Sequence, residues 1–287
     1  MILITGAAGQ LGRLVISELL KTVPPEQIVA AVREPSKVGD MTALGIQVRR
    51  GDYTCPSDWD EALKGVDKVL LISSPDVGCR EEHHRTVTDA IAASDSVGLV
   101  AYTSMLRADS SGVPYAAEDR ATEAMVLKTG KNAVFLRHSW YIENYTMNIT
   151  QSLQTGMLFG CAGSGVLSGA SREDYAAAAA CVLTSEKPLK QVYELAGDES
   201  FTLPQVAAEM TRQTNTTVNY VDMPEEDYRS MLVDYGVPDG VAMILAMADS
   251  GVARGDLYTQ SRDLSTLIGR PTLTLREVIA KALLQQQ

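Results

Sequence analysis

Three glycines, Gly6, Gly9 and Gly12, follow the apolar run Met1-Ile-Leu-Ile-Thr5 at even spacing. A strand that turns into a helix through such a loop lets backbone N–H groups approach a pyrophosphate where side chains would obstruct it, and the helix N-terminus adds partial positive charge. Gly6, Ala7, Ala8, Gly9, Gln10 and Leu11 are therefore candidates for dinucleotide binding, in the strand–loop–helix context that the fingerprint requires. About twenty residues further on, a dinucleotide fold selects between a carboxylate for a ribose hydroxyl and a cation for a 2′-phosphate. Arg33 stands there, with Lys37 adding charge and Glu34 opposing it, so NADPH is favoured; the alternative is a solvated surface arginine. Asp52 and Tyr53 stand where side chains flank an adenine, or else form an ordinary solvated turn.

Ser73, Ser74 and Pro75 follow the fourth apolar run, at the carboxyl edge where such sheets lay their ligand; small residues there leave room for a nicotinamide ribose, or form a simple Ser/Pro turn. The glycine spacing is the longer variant of short-chain dehydrogenase-type proteins, which pair a serine near Tyr102-Thr103-Ser104 with a Tyr-x-x-x-Lys motif. Tyr115 is the nearby tyrosine, and Asp119 rather than lysine stands four residues beyond it. Without a cation to depress the phenol, alcohol oxidation by a tyrosinate base is disfavoured, and no catalytic side chain is assigned. His83 and His84 are adjacent and point apart on a helix, so no metal site is expected. His138, Ser139, Trp140, Tyr141, Ile142 and Glu143 follow the sixth apolar run, and Trp140, Tyr141 and Tyr145 supply a wall for a flat ligand, or inter-lobe packing. Arg172 precedes an Ala-rich helix and either faces a bound anion or pairs with Glu173 or Asp174.

These residues need a frame. Short apolar runs at Ile2–Ile4, Ile28–Val32, Ile46–Arg49, Lys68–Ile72, Leu99–Tyr102 and Ala133–Leu136 alternate with helical periodicity, including Arg80–Ala93 and Ala117–Lys128. Pro24 and Pro25 close the first helix. This is the pattern of an α/β protein, a Rossmann-type doubly wound parallel sheet over residues 1–145, with a smaller α/β lobe over 146–287. In the second part a Gly-rich stretch precedes the helix Tyr175–Leu183, the strand Val192–Leu195, the helix Leu203–Thr214 and the strand Thr217–Val221; helices broken at Gly236-Val-Pro238 complete it. The 287 residues carry a net charge of −11, which repels nucleic acid. Four cysteines lack metal or redox spacing, no apolar run spans a bilayer, and the residues after Met1 read as a strand rather than a leader; a cytoplasmic protein of unspecified oligomeric state is expected.

The whole chain resembles the NmrA-like group of atypical short-chain dehydrogenases and, within it, the bacterial NADPH:quinone oxidoreductase and triphenylmethane reductase types. The likeness is carried by Thr5-Gly-Ala-Ala-Gly-Gln-Leu-Gly12, Ile28-Val-Ala-Ala-Val-Arg33, Leu70-Leu-Ile-Ser-Ser74, Ala101-Tyr-Thr-Ser104, Leu136-Arg-His-Ser-Trp-Tyr-Ile-Glu-Asn-Tyr145, Ser171-Arg-Glu-Asp-Tyr-Ala-Ala-Ala178, Val192-Tyr-Glu-Leu-Ala-Gly197 and Leu267-Ile-Gly269. It implies that NADPH is held by Gly6–Leu11, Arg33, Ser73–Pro75, His138–Glu143 and Arg172, and that quinones are reduced by two electrons. The family pattern Arg-Asn-Gly-Trp-Tyr is here Arg137-His-Ser-Trp-Tyr141, which adds bulk and a titratable ring beside the expected nicotinamide. The reading is an NADPH-dependent reductase acting by direct hydride transfer to a small-molecule quinone. A non-catalytic redox sensor and a reductase of another planar electrophile, such as a triphenylmethane dye, are its rivals.

Overall fold

The computed structural model describes residues 1–285. The chain begins with β1 (Ile2–Ile4), α1 (Gln10–Leu19), β2 (Ile28–Val32), α2 (Gly39–Ala43), β3 (Gln47–Arg50), α3 (Pro56–Ala62), β4 (Lys68–Leu71), α4 (Arg80–Ala93), β5 (Leu99–Met105), α5 (Ala116–Lys128) and β6 (Asn132–His138). It continues with α6 (Glu143–Thr146), α7 (Ile149–Thr155), β7 (Met157–Gly160), α8 (Arg172–Thr184), β8 (Val192–Leu195), α9 (Leu203–Thr214) and β9 (Asn219–Asp222). The helices α10 (Glu225–Asp234), α11 (Asp239–Arg254), α12 (Asp263–Ile268) and α13 (Leu275–Leu284) follow.

Seven strands form one sheet in the order β3-β2-β1-β4-β5-β6-β8. Strands β3 to β5 run parallel, with Ile2 opposite both Ile28 and Lys68, and Lys68 opposite Leu99. Every residue of β1 and β2 is buried, as unbroken apolar strands covered on both faces must be. The order reverses between β1 and β4, so the loops leaving their carboxyl ends, one carrying Gly6 and the other Ser73–Pro75, flank the crevice where Rossmann-type sheets bind ligands.

The chain divides into two compact units with interleaved segments: Met1–Ala108, Ala117–Arg137 and Tyr175–Tyr193 make the first, and the remaining residues the second. In the first, Leu3, Val29, Val69, Leu71, Val100 and Tyr102 pack with Trp59, Val87, Ile91 and Phe135. In the second, β7 and β9 pair in parallel, with Met157 opposite Asn219, and an apolar cluster of Tyr228, Leu232, Ala242 and Ala246 joins α10 to α11. The break between those helices falls at Gly236 (φ +85°) and Pro238, as their residue types dictate. Reciprocal capping boxes, Thr202 with Gln205 and Thr274 with Glu277, set the starts of α9 and α13.

Several boundaries differ from expectation. The first helix ends at Leu19, before Pro24, and Pro25 opens a short 3₁₀ turn. The strand β5 runs to Met105 and β6 to His138, because Thr103, Ser104, Arg137 and His138 are buried by tertiary packing that a short apolar run does not reveal. His138 is thus the last residue of β6 rather than the first beyond it. The second-part strand lies at Asn219–Asp222, and its partner β7 was hidden in the Gly-rich stretch.

Candidate functional site

The glycine loop supplies backbone rather than side chains. Gly6 has φ +56°, which favours glycine, and Gly9 caps α1 without a side-chain hydrogen bond. The first intrahelical bond is Arg13 N–H to Gly9 O (3.0 Å), leaving the N–H groups of Gln10 and Leu11 ahead of it without intrahelical acceptors. Ala8, Gly9 and Gln10 are exposed, whereas Ala7 and Leu11 are buried. A Cβ on Gly12 would lie 2.6 Å from Gly6 O and 2.7 Å from Ala7 Cα, so this third glycine is demanded by the loop's own backbone. A Cβ on Gly9 would meet only Gly6 O, at 3.2 Å.

Arg33 is exposed at the end of β2, and its neighbour Lys37 is paired with Glu34 at 2.8 Å. Asp52 caps its own turn through Thr54 N–H (2.9 Å) and Thr54 Oγ1 (2.8 Å), bonds that hold its carboxyl below the usual range. Tyr53 is anchored inward, its hydroxyl shared between Thr5 Oγ1 (2.7 Å) and Ile72 O (2.8 Å).

A buried polar network holds Ser73–Pro75. Ser74 N–H donates to His84 Nε2 (2.9 Å), which fixes the other ring nitrogen, Nδ1, as the donor to Thr122 Oγ1 (2.8 Å). Burial, reinforced by Arg80, pushes the His84 pKa down to about 3, so the ring is neutral. Arg80 Nε donates to Ser74 O (2.8 Å) and Arg80 Nη1 to Asp119 Oδ2 (3.1 Å). Tyr102 Oη donates to the other oxygen of Asp119, whose pKa is raised to about 6 by burial against the pull of Arg80. Ser73 N–H donates to Thr103 Oγ1 (2.9 Å). The missing Tyr-x-x-x-Lys lysine position is therefore a buried anchor. Ser104 is tied down too, its Oγ donating to Glu123 Oε1 (2.7 Å), which also accepts from Arg137 Nε at 2.9 Å.

In the second unit, Ser139, Trp140, Tyr141 and Ile142 run beside Ala170, with Ala170 N–H to Trp140 O (3.0 Å) and Ile142 N–H to Ala170 O (3.1 Å). Of the three rings expected to face a flat ligand, Trp140 and Tyr145 are only 9% and 6% exposed, and Tyr141 alone is half-buried. Burial lowers the His138 pKa to about 3; this neutral ring lies edge-on to Tyr141, with Nδ1 3.3 Å from Tyr141 Oη. Of the two alternatives for Arg172, the pairing with Glu173 or Asp174 needs correction. Glu173 pairs instead with Lys281, and Asp174 with Arg270 (2.6 Å) and Ser171 Oγ (2.8 Å). Arg172 stacks 4.5 Å over the Tyr141 ring, donates to Asn144 Oδ1 (2.6 Å), and has Glu143 at 3.7 Å. Glu143 Oε1 also accepts the backbone N–H of Arg172 (2.8 Å), and its pKa is raised by burial.

Sequence reasoning missed Asn144, Arg80 and Asp249, and named Asp119 only as the acid standing in place of a lysine. The carboxyl of Asp249 accepts from Tyr145 Oη (2.9 Å) and Cys161 N–H (3.2 Å), and burial raises its pKa to about 7. Only Asn144 and Arg80 carried any signal, as polar residues beside flagged positions.

The comparisons agree along the whole chain. A family profile described as the NmrA-like family matches residues 1–270. Quinone oxidoreductase 2 of Escherichia coli (strain K12) is 46% identical over 280 residues, 98% of either chain. The crystal structure of the Escherichia coli NADPH-dependent quinone oxidoreductase complexed with NADPH superposes with a TM-score of 0.93, covering 99% of this chain and 100% of that one. The Citrobacter sp. triphenylmethane reductase complexed with NADP(H) is 34% identical with a TM-score of 0.93, covering 98% and 100%. With a Rossmann-type sheet, a glycine loop opening its first helix and a family match over nearly its whole length, this chain belongs to the NmrA-like family.

Proposed function

We propose that this protein is an NADPH-dependent quinone reductase. The observation that carries the reading is the end-to-end 46% identity to Quinone oxidoreductase 2, with no segment of either chain left over beyond a few residues. Two features of this chain fit the cofactor. The uncapped N-terminus of α1 offers N–H groups to a pyrophosphate, and Arg33 is exposed to a 2′-phosphate with no carboxylate among the described residues within ion-pair distance.

In this reading the N–H groups of Ala8, Gln10 and Leu11 bind the pyrophosphate, and Arg33 pairs with the 2′-phosphate. Ser73, Ser74 and Pro75, held in place by His84 and Arg80, border the nicotinamide ribose. Tyr141, with Arg172 stacked on it and neutral His138 at its edge, forms the polar and aromatic border for the acceptor ring. NADPH, when bound, supplies two electrons as a hydride. The quinone needs no dedicated acid, because the charge of its reduced anion is delocalised and water supplies the proton; orientation accounts for most of the catalysis. The four free cysteines suit a reducing compartment, and in this reading the protein works in the cytoplasm.

The test is turnover: purified protein mixed with NADPH and simple benzoquinones is expected to oxidise the cofactor stoichiometrically with quinol formed. Tight NADPH binding with no consumption would establish the redox-sensor alternative instead. The TM-score of 0.93 to triphenylmethane reductase supports a second reading, reduction of a cationic dye at the same site, assayed by bleaching.

A further inference from the structure

In the second unit, α7, β7 and the hairpin of α10 and α11 enclose a pocket of about 390 Å³. One wall carries the uncharged polar side chains Asn148, Gln151 and Ser152, and the other carries Met231, Leu232 and Val241. None of its lining side chains is charged, although the chain carries 61 charged residues of four types. Exposed apolar side chains gather round it: Met147 (47%), Met157 (38%), Tyr235 (53%) and Val241 (43%). A concave apolar surface of this size, rimmed by flexible methionines, is the form of a small-molecule subsite. The absence of charge rejects phosphates and ions and selects a hydrocarbon group.

The pocket adjoins the proposed acceptor border. Asn144 and Tyr145 line it, and Asn144 Oδ1 accepts the hydrogen bond from Arg172, which itself stacks on Tyr141. Asn144 N–H donates to Tyr141 O (3.1 Å), so the chain makes a single tight turn between the two, which a side chain of a few methylenes spans. We propose that this pocket receives the alkyl or prenyl substituent of the quinone, so that the preferred acceptors are quinones bearing a hydrocarbon chain. The inference rests on the quinone-reductase reading and adds to it the class of substrate.

The experiment compares kcat/KM for 2-methyl-, 2-propyl- and 2-pentyl-1,4-benzoquinone at saturating NADPH, a series whose ring electronics barely change with chain length. Each methylene removed from water is worth about fourfold in affinity, and an open groove shields it in part, so the methyl-to-pentyl ratio is expected to be on the order of tenfold. Val241→Trp fills the pocket and Met147→Glu places a charge at its mouth; both bring the ratio towards one. Met147 is about half exposed, so its replacement does not disturb a core. Turnover of the methyl compound with a flat series overturns the pocket assignment and leaves the quinone reading standing. A steep series unchanged in both variants also overturns it, and no turnover of any quinone removes both readings together.

Discussion

In the proposed reading, Arg33 carries the choice of cofactor with a single side chain. A charge-assisted hydrogen bond contributes about 1.5–3 kcal/mol, so Arg33→Ala is expected to weaken NADPH roughly 10- to 100-fold. NADH, which has no 2′-phosphate, should change by less than about twofold on the same reasoning. Titration of both cofactors checks this, and an equal loss for the two removes Arg33 from the phosphate. Asp249 makes a different residue-scale prediction. Its folded carboxyl titrates near 7 against an ordinary 3.8, chiefly because it is desolvated, with the Tyr145 and Cys161 bonds opposing. A raised pKa means that the folded chain holds a proton which the unfolded chain releases. That stabilisation is complete below pH 3.8 and is lost as pH rises to about 7. Asp249→Asn cannot ionise, so its stability relative to the parent should climb between pH 4 and 7 and then level off. The total change is roughly 4 kcal/mol at 1.36 kcal/mol per unit. Urea denaturation across that range measures it; a difference independent of pH would mean that the carboxyl is ionised throughout. The position of Arg33, exposed just after β2, was legible because its distance from the glycine loop is fixed by the fold. Asp249 was not, since Tyr145 meets it across 104 residues and nothing local marks one acid in an apolar helix.

At the scale of elements, the three glycines divide into different duties, and substitution separates them. Gly12 has no room for a Cβ against Gly6 O and Ala7 Cα, both backbone atoms. Gly12→Ala is therefore expected to destabilise the fold by about 3 kcal/mol, at the upper end of overpacking costs. Gly9 has φ −73°, which any residue adopts, and its Cβ needs only a small shift of Gly6 O. Gly9→Ala should then keep its melting temperature within a few degrees, a loss of about 1 kcal/mol or less, while NADPH affinity falls about tenfold or more because the methyl group intrudes on the pyrophosphate. Melting curves with and without NADPH distinguish the two variants; equal loss of stability in both would place Gly9 in the turn's framework as well. The spacing Gly-x-x-Gly-x-x-Gly announced the loop but not this division, which depends on which backbone atoms the turn folds back upon. The same limit governs the strands. Ile2–Ile4 and Ile28–Val32 were read to the residue because they are purely apolar and buried on both faces. Strand β7, Met157–Gly160, escaped because it lies among glycines and draws its ladder from Asn219–Asp222, some sixty residues away along the chain. The His138–Tyr145 segment was correctly marked as aromatic, yet only packing distinguishes half-buried Tyr141 from buried Trp140.

For the molecule as a whole, the governing quantity is its net charge of −11, which acts over distances that no single side chain reaches. That field attracts a cationic dye and is indifferent to a neutral quinone. Raising ionic strength from 0.01 M to 0.15 M shortens the screening length from about 30 Å to about 8 Å. With NADPH saturating at every salt concentration, kcat/KM for a cationic triphenylmethane dye is expected to fall roughly threefold to tenfold, while that for 2-methyl-1,4-benzoquinone stays level. A parallel fall for both substrates would show that salt acts on the protein or on the cofactor step and not on encounter. The alkyl series gives an internal check of a different origin. Because the pocket beside Tyr145 is lined by no charged side chain, the gain from methyl to pentyl should be the same at both salt concentrations. A chain-length gain that collapsed with salt would be electrostatic, and so could not come from hydrocarbon burial in that pocket.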